Sequence, residues 1–107
     1  MDGLQQGNFF KDAAPPASGE RFDTLLAHRN LVIERIASTS RITSQLYVQQ
    51  QDEWVMLVQG DAMLDVAGRQ VALAAGDYLF LPAQTPHTLL RVSDGALWLA
   101  LHLSHGE

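Results

Sequence analysis

Apolar and polar positions alternate in short runs along the chain from residue 31 onward. Links that carry glycine or proline separate these runs. Alternation with a period of two is typical of strands that bury one face, and short links of this composition are typical of hairpins. We therefore predict strands in the runs LVIERIAS, SQLYVQQ, EWVMLVQG, AMLDVAG, RQVALAAG, DYLFLPA, HTLLRVS and ALWLALHL.

The segment ahead of these runs has a different pattern. Residues 1–18 run into the segment AAPPASG (13–19), where the proline pair disfavours both a helix and an inner strand, so we predict an N-terminal arm over residues 1–18. Residues 20–29 place Phe22, Leu25 and Leu26 at helical spacing, with acids early and basic residues late, which predicts one short helix. The whole pattern predicts an all-β sandwich or barrel, formed as a single domain by residues 19–107, with one N-terminal helix.

Two of the predicted strands are apolar on both faces: residues 54–58, WVMLV, and residues 96–103, ALWLALHL. A small barrel has only one interior, so the second face of each strand needs a cover. We expect a second copy of the chain to provide it, and hence a homodimer. Cover by a second sheet or by the helix of the same chain is the alternative.

Length and charge narrow the class of protein. The 107 residues are enough for one core, and the formal net charge of −5, with no basic stripe, argues against a nucleic-acid partner. Without cysteine, a thiolate metal site or a disulfide is ruled out. No apolar run approaches the ~20 residues that cross a bilayer, and the N-terminus does not resemble a signal peptide. We expect a cytoplasmic protein without a membrane partner.

Polar side chains gather at the entrance to one predicted strand. Tyr47, Gln49, Gln51 and Glu53 stand at alternate positions and would form one polar wall. Further along, the segment GDYLFLPAQTPH ends in a proline-bracketed loop that delivers His87 to the start of the next strand. His87 can meet the polar wall there, and we place a candidate site at this meeting point.

These two segments resemble the cupin superfamily. The first cupin motif ends in a glutamate and a glycine separated by six residues, which match Glu53 and Gly60. The second motif has a glycine, a proline and a histidine at fixed spacing, which match Gly76, Pro82 and His87. The resemblance runs from about Leu46 to Leu103. It implies a cupin-type jelly-roll β-barrel of six to eight strands, often dimeric.

The resemblance is incomplete at four positions. The two histidines of the first motif fall on Tyr47 and Gln49, Gln84 replaces a glycine, and Arg91 stands where the family has an asparagine. The sequence is also similar to a subgroup of small bacterial cupins that carries tyrosine and glutamine in place of these histidines. The exchange therefore need not be decay of the site.

In typical cupins, three histidines and one glutamate bind a divalent metal. The resemblance implies that Gln49, Glu53 and His87 are the candidate ligands of one such ion (Mn, Fe, Zn or Ni), with Tyr47 as a fourth donor or a hydrogen-bonding partner. Imidazole suits these metals, whereas a neutral amide oxygen is a weaker donor. Two strong ligands leave the occupancy of the site open.

Each candidate also has a plainer interpretation. Glu53 could be solvated, or it could pair with Arg91, which shares a strand face with His87 by alternation, and that pair would compete with a metal. His87 could cap its own loop, and Gln49 and Gln51 could be surface amides, Gln51 the more readily. His102 would line the pocket only if its strand face points inward, and otherwise it belongs to the core or an interface.

Three functions compete. The first is a metal-dependent enzyme, of dioxygenase or isomerase type, acting on a small polar metabolite, with Tyr47 as proton donor and Arg91 as anchor for an anionic group. The second is a metal-free cupin that binds or senses a sugar-like or carboxylate ligand. The third is an assembly partner with a vestigial pocket. Whether the chain is an enzyme stays open at this stage, because a fold does not fix a function.

Overall fold

The computed structural model describes residues 4–105, and these form a β structure without a helix. Nine strands follow one another along the chain: β1 (Glu20–His28), β2 (Leu31–Ser38), β3 (Leu46–Tyr47), β4 (Asp52–Gln59), β5 (Asp61–Val66), β6 (Arg69–Ala74), β7 (Tyr78–Leu81), β8 (His87–Val92) and β9 (Ala96–Leu103). Within the described part of the chain there is accordingly no helix of the length and apolarity that crossing a membrane requires.

The strands form two antiparallel sheets. The larger sheet has the order β1-β2-β9-β4-β7, and the smaller sheet has the order β3-β8-β5-β6. Chain neighbours such as β8 and β9 lie in different sheets, so the chain crosses repeatedly between the two layers. The predicted all-β, jelly-roll architecture is confirmed, and each of the eight predicted runs contributes a strand.

The predicted helix at residues 20–29 is wrong, because this segment is strand β1. It pairs with β2 along its whole length, and the register shifts between Thr24 and Leu26, which leaves Leu25 as an extra residue. This β-bulge moves Leu26 to the opposite face from Phe22, and the resulting spacing of apolar residues imitates a helix. A two-residue turn closes the hairpin, with Arg29 at a φ of 55°.

The core lies between the two sheets. Alternation along β4 turns Glu53, Val55 and Leu57 inward, and Leu57 is fully buried. Leu64 on β5 faces them from the smaller sheet, and Trp98 on β9 lies beside Leu57 in the larger sheet; both are almost fully buried. The inward face of β4 therefore changes from apolar to acidic toward the start of the strand, and this change positions the candidate site.

The arm that precedes β1 is held on the outer face of β2 by one buried guanidinium group. Arg35 donates to the backbone carbonyls of Phe9 (2.9 Å) and Lys11 (2.7 Å) and forms a 2.8 Å ion pair with Asp23. The hydrogen bond and ion pair with Arg35 hold the pKa of Asp23 below its ordinary value. The arm therefore covers the β1–β2 half of the outer face of the larger sheet.

Candidate functional site

A cavity of about 480 Å³ opens between the two sheets. Phe22 on β1 and Tyr47 on β3 both line it and are 55% and 39% exposed, and these two strands are the edges of their sheets. The cavity therefore reaches solvent between the edges β1 and β3. Its volume is in the range of sites for small molecules. Its polar lining consists of Glu20, Glu34, Tyr47, Gln49, Gln51, Glu53, His87, His102 and Ser104.

Glu53 is the most deeply buried acid of this lining, at 8% exposure. It lies at the start of β4, directly opposite His102 on β9. Its Oε1 atom is buried and accepts no hydrogen bond from any residue in the range 4–105. Burial raises the pKa of Glu53; the charges of His102 and His87 oppose the shift, and those of Glu34 and Glu20 add to it.

His87 faces Glu53 from the other sheet. Its Nδ1 lies 3.0 Å from the carbonyl oxygen of Thr85, and its Nε2 lies 3.9 Å from Oε1 of Glu53. Because a carbonyl only accepts, Nδ1 carries the proton in this contact, and Nε2 of the neutral ring is an acceptor. The loop between Pro82 and Pro86 thus fixes the tautomer, and the ring stacks on Tyr47 at a centroid distance of 5.9 Å.

Two acceptors therefore face each other across the 3.9 Å between Glu53 and His87. This distance is too long for a direct hydrogen bond, even when one of the two groups is protonated. A group with two hydrogens to donate, such as an amine, would satisfy both atoms, and a ligand hydroxyl would bridge them when Glu53 is protonated and donates to the hydroxyl oxygen.

A second carboxylate–imidazole pair lies beside the first. Nε2 of His102 donates to Oε1 of Glu34 over 3.1 Å, and Nδ1 of His102 is buried without a partner among the described residues. Glu34 and His102 lie on adjacent strands of the larger sheet, β2 and β9. The cavity thus contains two imidazoles and two carboxylates in close proximity.

A third carboxyl group in the cavity wall, that of Glu20, is held by a chain of hydrogen bonds. The indole Nε1 of Trp98 donates to Ser38 Oγ over 3.1 Å, and Ser38 Oγ donates to Glu20 over 2.5 Å. Burial raises the pKa of Glu20, and the hydrogen bond from Ser38 partly opposes this shift. The chain fixes the Glu20 carboxyl group in the cavity wall.

The structure brings five of the six predicted site residues to one cavity: Tyr47, Gln49, Glu53, His87 and His102. The face of β9 that carries His102 points inward, which settles the alternative left open by the sequence. Gln51, for which a surface position was the favoured interpretation, also lines the cavity. The polar wall predicted on residues 47–53 therefore exists.

Arg91 is the exception, and its predicted place in the pocket is wrong. The register between β5 and β8 shifts so that Leu90 is an extra residue, and Arg91 emerges on the outer face. It is exposed there and lies 3.5 Å from Asp61. The suggested pair between Arg91 and Glu53 does not form.

Sequence reasoning missed Glu20 and Glu34. Glu34 interrupts an apolar run, and its neighbours Val32 and Ile36 share its inward face. An acid at an inward position of a strand is a detectable signal, because an unpaired buried carboxylate is costly. Glu20 was missed because its segment was interpreted as a helix.

The donors at this site do not complete the metal set implied by the resemblance. Within residues 4–105, no group of three or more histidine, aspartate or glutamate side chains is arranged to hold a metal ion. Glu53 and His87 are the strong donors that match the motifs, Gln49 would add only a weakly binding amide, and His102 is engaged by Glu34. A metal at Gln49, Glu53 and His87 stays a prediction, and the chemistry proposed for the cavity uses none.

Comparisons with known proteins agree with this architecture. No curated protein matches the sequence. A protein from Ralstonia eutropha JMP134, provisionally named a mannose-6-phosphate isomerase, is 33% identical, with a TM-score of 0.83 over 95% of this chain and 100% of that one. An RmlC-like cupin from Shewanella frigidimarina NCIMB 400 is 18% identical, with a TM-score of 0.75 and 97% coverage of both chains.

KdgF from a Halomonas species, 17% identical, has a TM-score of 0.75 over 81% of this chain and 82% of its own. At such identities the likeness to KdgF and to the Shewanella protein concerns the fold alone. The sequence model of the family described as "Cupin domain" matches residues 39–102, which is more than half of the chain. With the nine-stranded fold and the Ralstonia relative, this match establishes that the chain belongs to the cupin family.

Proposed function

We propose that this chain is a small-molecule cupin enzyme of isomerase type, in which Glu53 and His87 move a proton on a hydroxylated carbonyl compound. The observation that carries the proposal is the gap between Oε1 of Glu53 and Nε2 of His87, two acceptors 3.9 Å apart at the wall of an accessible cavity. A substrate hydroxyl fits this gap in size, and its single O–H can donate to one of the two atoms, Nε2 of His87 or Oε1 of Glu53.

The two groups suit the two halves of a proton shift. The raised pKa of Glu53 makes its carboxylate a stronger base than an exposed one, so it can accept a proton from the carbon next to a carbonyl group. The same carboxyl group returns that proton to the neighbouring carbon, while His87 exchanges a proton between the two substrate oxygens through Nε2. No atom is gained or lost, so the product is an isomer of the substrate.

The Ralstonia relative supports the reaction class, since its printed name is that of an isomerase. We carry over that class alone, and not the phosphorylated sugar in the name. The alternative is a cupin that binds or senses a ligand in the same cavity without converting it. The mixed lining favours a ligand with polar and apolar parts, because Trp98, Ile36 and Leu89 line the same cavity as the acids.

The test is exchange of carbon-bound hydrogen in D₂O, followed by NMR on a panel of aldoses and ketoses with metal-free protein. Wild type should exchange the hydrogen next to the carbonyl group, and Glu53→Gln and His87→Asn should lose this activity by at least about a hundredfold. Asp61→Asn and His28→Asn are matched controls, because both side chains are exposed and lie outside the cavity.

Three other outcomes have distinct meanings. Exchange that appears only after Mn²⁺, Fe²⁺, Ni²⁺ or Zn²⁺ is added would replace the metal-free mechanism with a metal site at Gln49, Glu53 and His87. Saturable binding without exchange would support the binding or sensing function instead. Equal exchange by the wild type and the two cavity variants would refute the roles assigned to Glu53 and His87.

We further propose that the chain forms a homodimer through the outer face of β4, β7 and β9. On this face Trp54 stacks on Tyr78 at 5.5 Å, and the neighbouring Phe80 is 59% exposed. The N-terminal arm is held by Arg35 over the other half of the sheet, and within residues 4–105 Tyr78 and Phe80 stay exposed. Exposed aromatic patches of this kind are typical of subunit interfaces.

A further inference from the structure

We infer that the cavity selects hydroxylated compounds that carry an amine or no charge, and that it rejects phosphorylated and carboxylate-bearing ones, with Glu20 and Glu34 determining this preference. The inference rests on the proposed function, since it assumes that the cavity between the sheets is the ligand site. It adds the chemical class of the ligand, which the proton-transfer argument leaves open.

The first observation is the charge of the lining. Three carboxyl groups line the cavity, those of Glu20, Glu34 and Glu53. The chain's seven lysine and arginine residues all lie in the described range 4–105, and none of them lines the cavity. Two arginines are engaged elsewhere: Arg35 holds the arm, and Arg91 lies beside Asp61 on the outer face. Sites for phosphate or carboxylate ordinarily supply such a cation.

The two imidazoles do not replace the missing cation. His102 donates Nε2–H to Glu34, and Nδ1, the remaining nitrogen of the neutral ring, is an acceptor that offers an anion no hydrogen. His87 donates Nδ1–H to Thr85 and presents the lone pair of Nε2 to the cavity. An anionic group that approaches Nε2 would meet an acceptor and, 3.9 Å further, the Glu53 carboxyl group.

A helix N-terminus does not supply an anion site in the described part of the chain either. The other common phosphate site is the N-terminus of a helix, and residues 4–105 contain no helix. An anion in the cavity would therefore be desolvated beside three acids without a fixed positive partner. An amine would instead donate to the orphaned Oε1 of Glu53 and offset the charge of the acids.

Glu34 and Glu20 are assigned to specificity because neither lies in the gap where the proton moves. Glu34 reaches the cavity from β2 and is tied to His102, while Glu20 is tied to Ser38 from the edge strand β1. Both act on a ligand through charge. Their effect should therefore appear in binding of charged compounds and leave the preference among uncharged ones unchanged.

The experiment uses three compounds that differ at one carbon: glycerol, 2-amino-1,3-propanediol and glycerol 2-phosphate. Each is titrated into full-length protein at constant ionic strength, and the NMR signals of the His87 and His102 rings report binding in the cavity. We expect the amine to bind at least about tenfold more tightly than the phosphate, with glycerol between them. In Glu20→Gln/Glu34→Gln, this ratio should fall about tenfold, and in Asp61→Asn it should stay unchanged.

The outcomes separate this inference from the proposed function. Equal or tighter binding of the phosphate, with shifts at the His87 and His102 rings, would overturn the charge preference and leave the cavity as the ligand site. If none of the three compounds shifts the His87 and His102 ring signals, even at a concentration on the order of 100 mM, the cavity is not a site for hydroxylated ligands, and both proposals fail together. If the double variant does not fold, Glu34→Gln alone is expected to lower the ratio about threefold, and no change in it would overturn the role of Glu34.

Discussion

Replacing Glu53 by glutamine should stabilise the protein at neutral pH. In the wild type, a buried carboxyl oxygen has no hydrogen-bond partner among residues 4–105. An unsatisfied buried polar group costs about 1–3 kcal/mol, more when it is charged. Because the cavity reaches solvent and glutamine keeps one acceptor oxygen, we expect the low end of this range, a gain of about 1 kcal/mol. For a chain of this size the midpoint of thermal unfolding should rise by about 4 °C.

The gain should depend on pH in a direction fixed by the pKa of Glu53. Burial raises this pKa in the folded protein above its ordinary value of 4.5, so the folded state holds the proton more tightly than the unfolded state. The stability contributed by protonated Glu53 is fully present below pH 4.5 and is lost as the pH rises through the folded pKa. The advantage of Glu53→Gln is therefore largest at neutral pH and disappears toward pH 4.5.

Glu34→Gln is the matched control in the same cavity, and its effect should have the opposite sign. The Glu34 carboxylate accepts a 3.1 Å hydrogen bond from His102, and loss of this charge-assisted bond should destabilise the protein by about 1–2 kcal/mol. The assay is thermal unfolding followed by circular dichroism between pH 4.5 and pH 7. If Glu53→Gln were less stable than the wild type at pH 7, or had the same pH dependence, the argument from burial would be refuted.

Three further predictions concern the frame of the cavity and the outer face. Gly60→Ala should destabilise the protein by about 3 kcal/mol or more, because φ is +99° and a new Cβ would lie 2.9 Å from Ala96 Cβ and 3.2 Å from its Cα. Gly68→Ala, at φ +88° in open space, should cost only about 1–2 kcal/mol. Chemical denaturation compares the two variants, and equal losses of stability would contradict the close approach at Gly60. Gln84→Gly should raise the midpoint of thermal unfolding by a few degrees, because Gln84 has a φ of 70° where the cupin motif has glycine. A lower midpoint would show that the Gln84 side chain stabilises the loop by more than its left-handed backbone conformation costs. Phe80→Glu should shift the protein from dimer to monomer in size-exclusion chromatography with light scattering, and an unchanged mass would refute the proposed interface.

Local patterns were sufficient to predict most of the strands. The predicted bounds of β2 and β9, residues 31–38 and 96–103, are those of the structure. Their signal is strong because a strand and its flanking turn are specified within a few residues. The order of strands within a sheet depends on contacts between distant segments, and no local pattern revealed that β2 lies between β1 and β9. The contact between Glu34 on β2 and His102 on β9 could not be predicted for this reason.

The two errors have one physical cause, a β-bulge. An extra residue in a strand reverses the alternation beyond it, so every later side chain changes face. At Leu25 the reversal produced apolar spacing that imitates a helix, and at Leu90 it moved Arg91 from the predicted pocket to the outer face. A bulge depends on how the partner strand pairs, and neither position carries a glycine that would have marked it.

The bulge at Leu90 also bears on the charge of the cavity. Without the bulge at Leu90, Arg91 would share the inward face of His87 and would bring a positive charge between the sheets. With it, the guanidinium group leaves the cavity, and Oε1 of Glu53 stays buried without a donor. A protein gains no stability from such an atom, and groups that destabilise a fold are concentrated at functional sites. A ligand that donates to Oε1 should therefore remove the same deficit that glutamine removes. Stabilisation by that ligand and stabilisation by Glu53→Gln should not add, because both act on one unsatisfied atom.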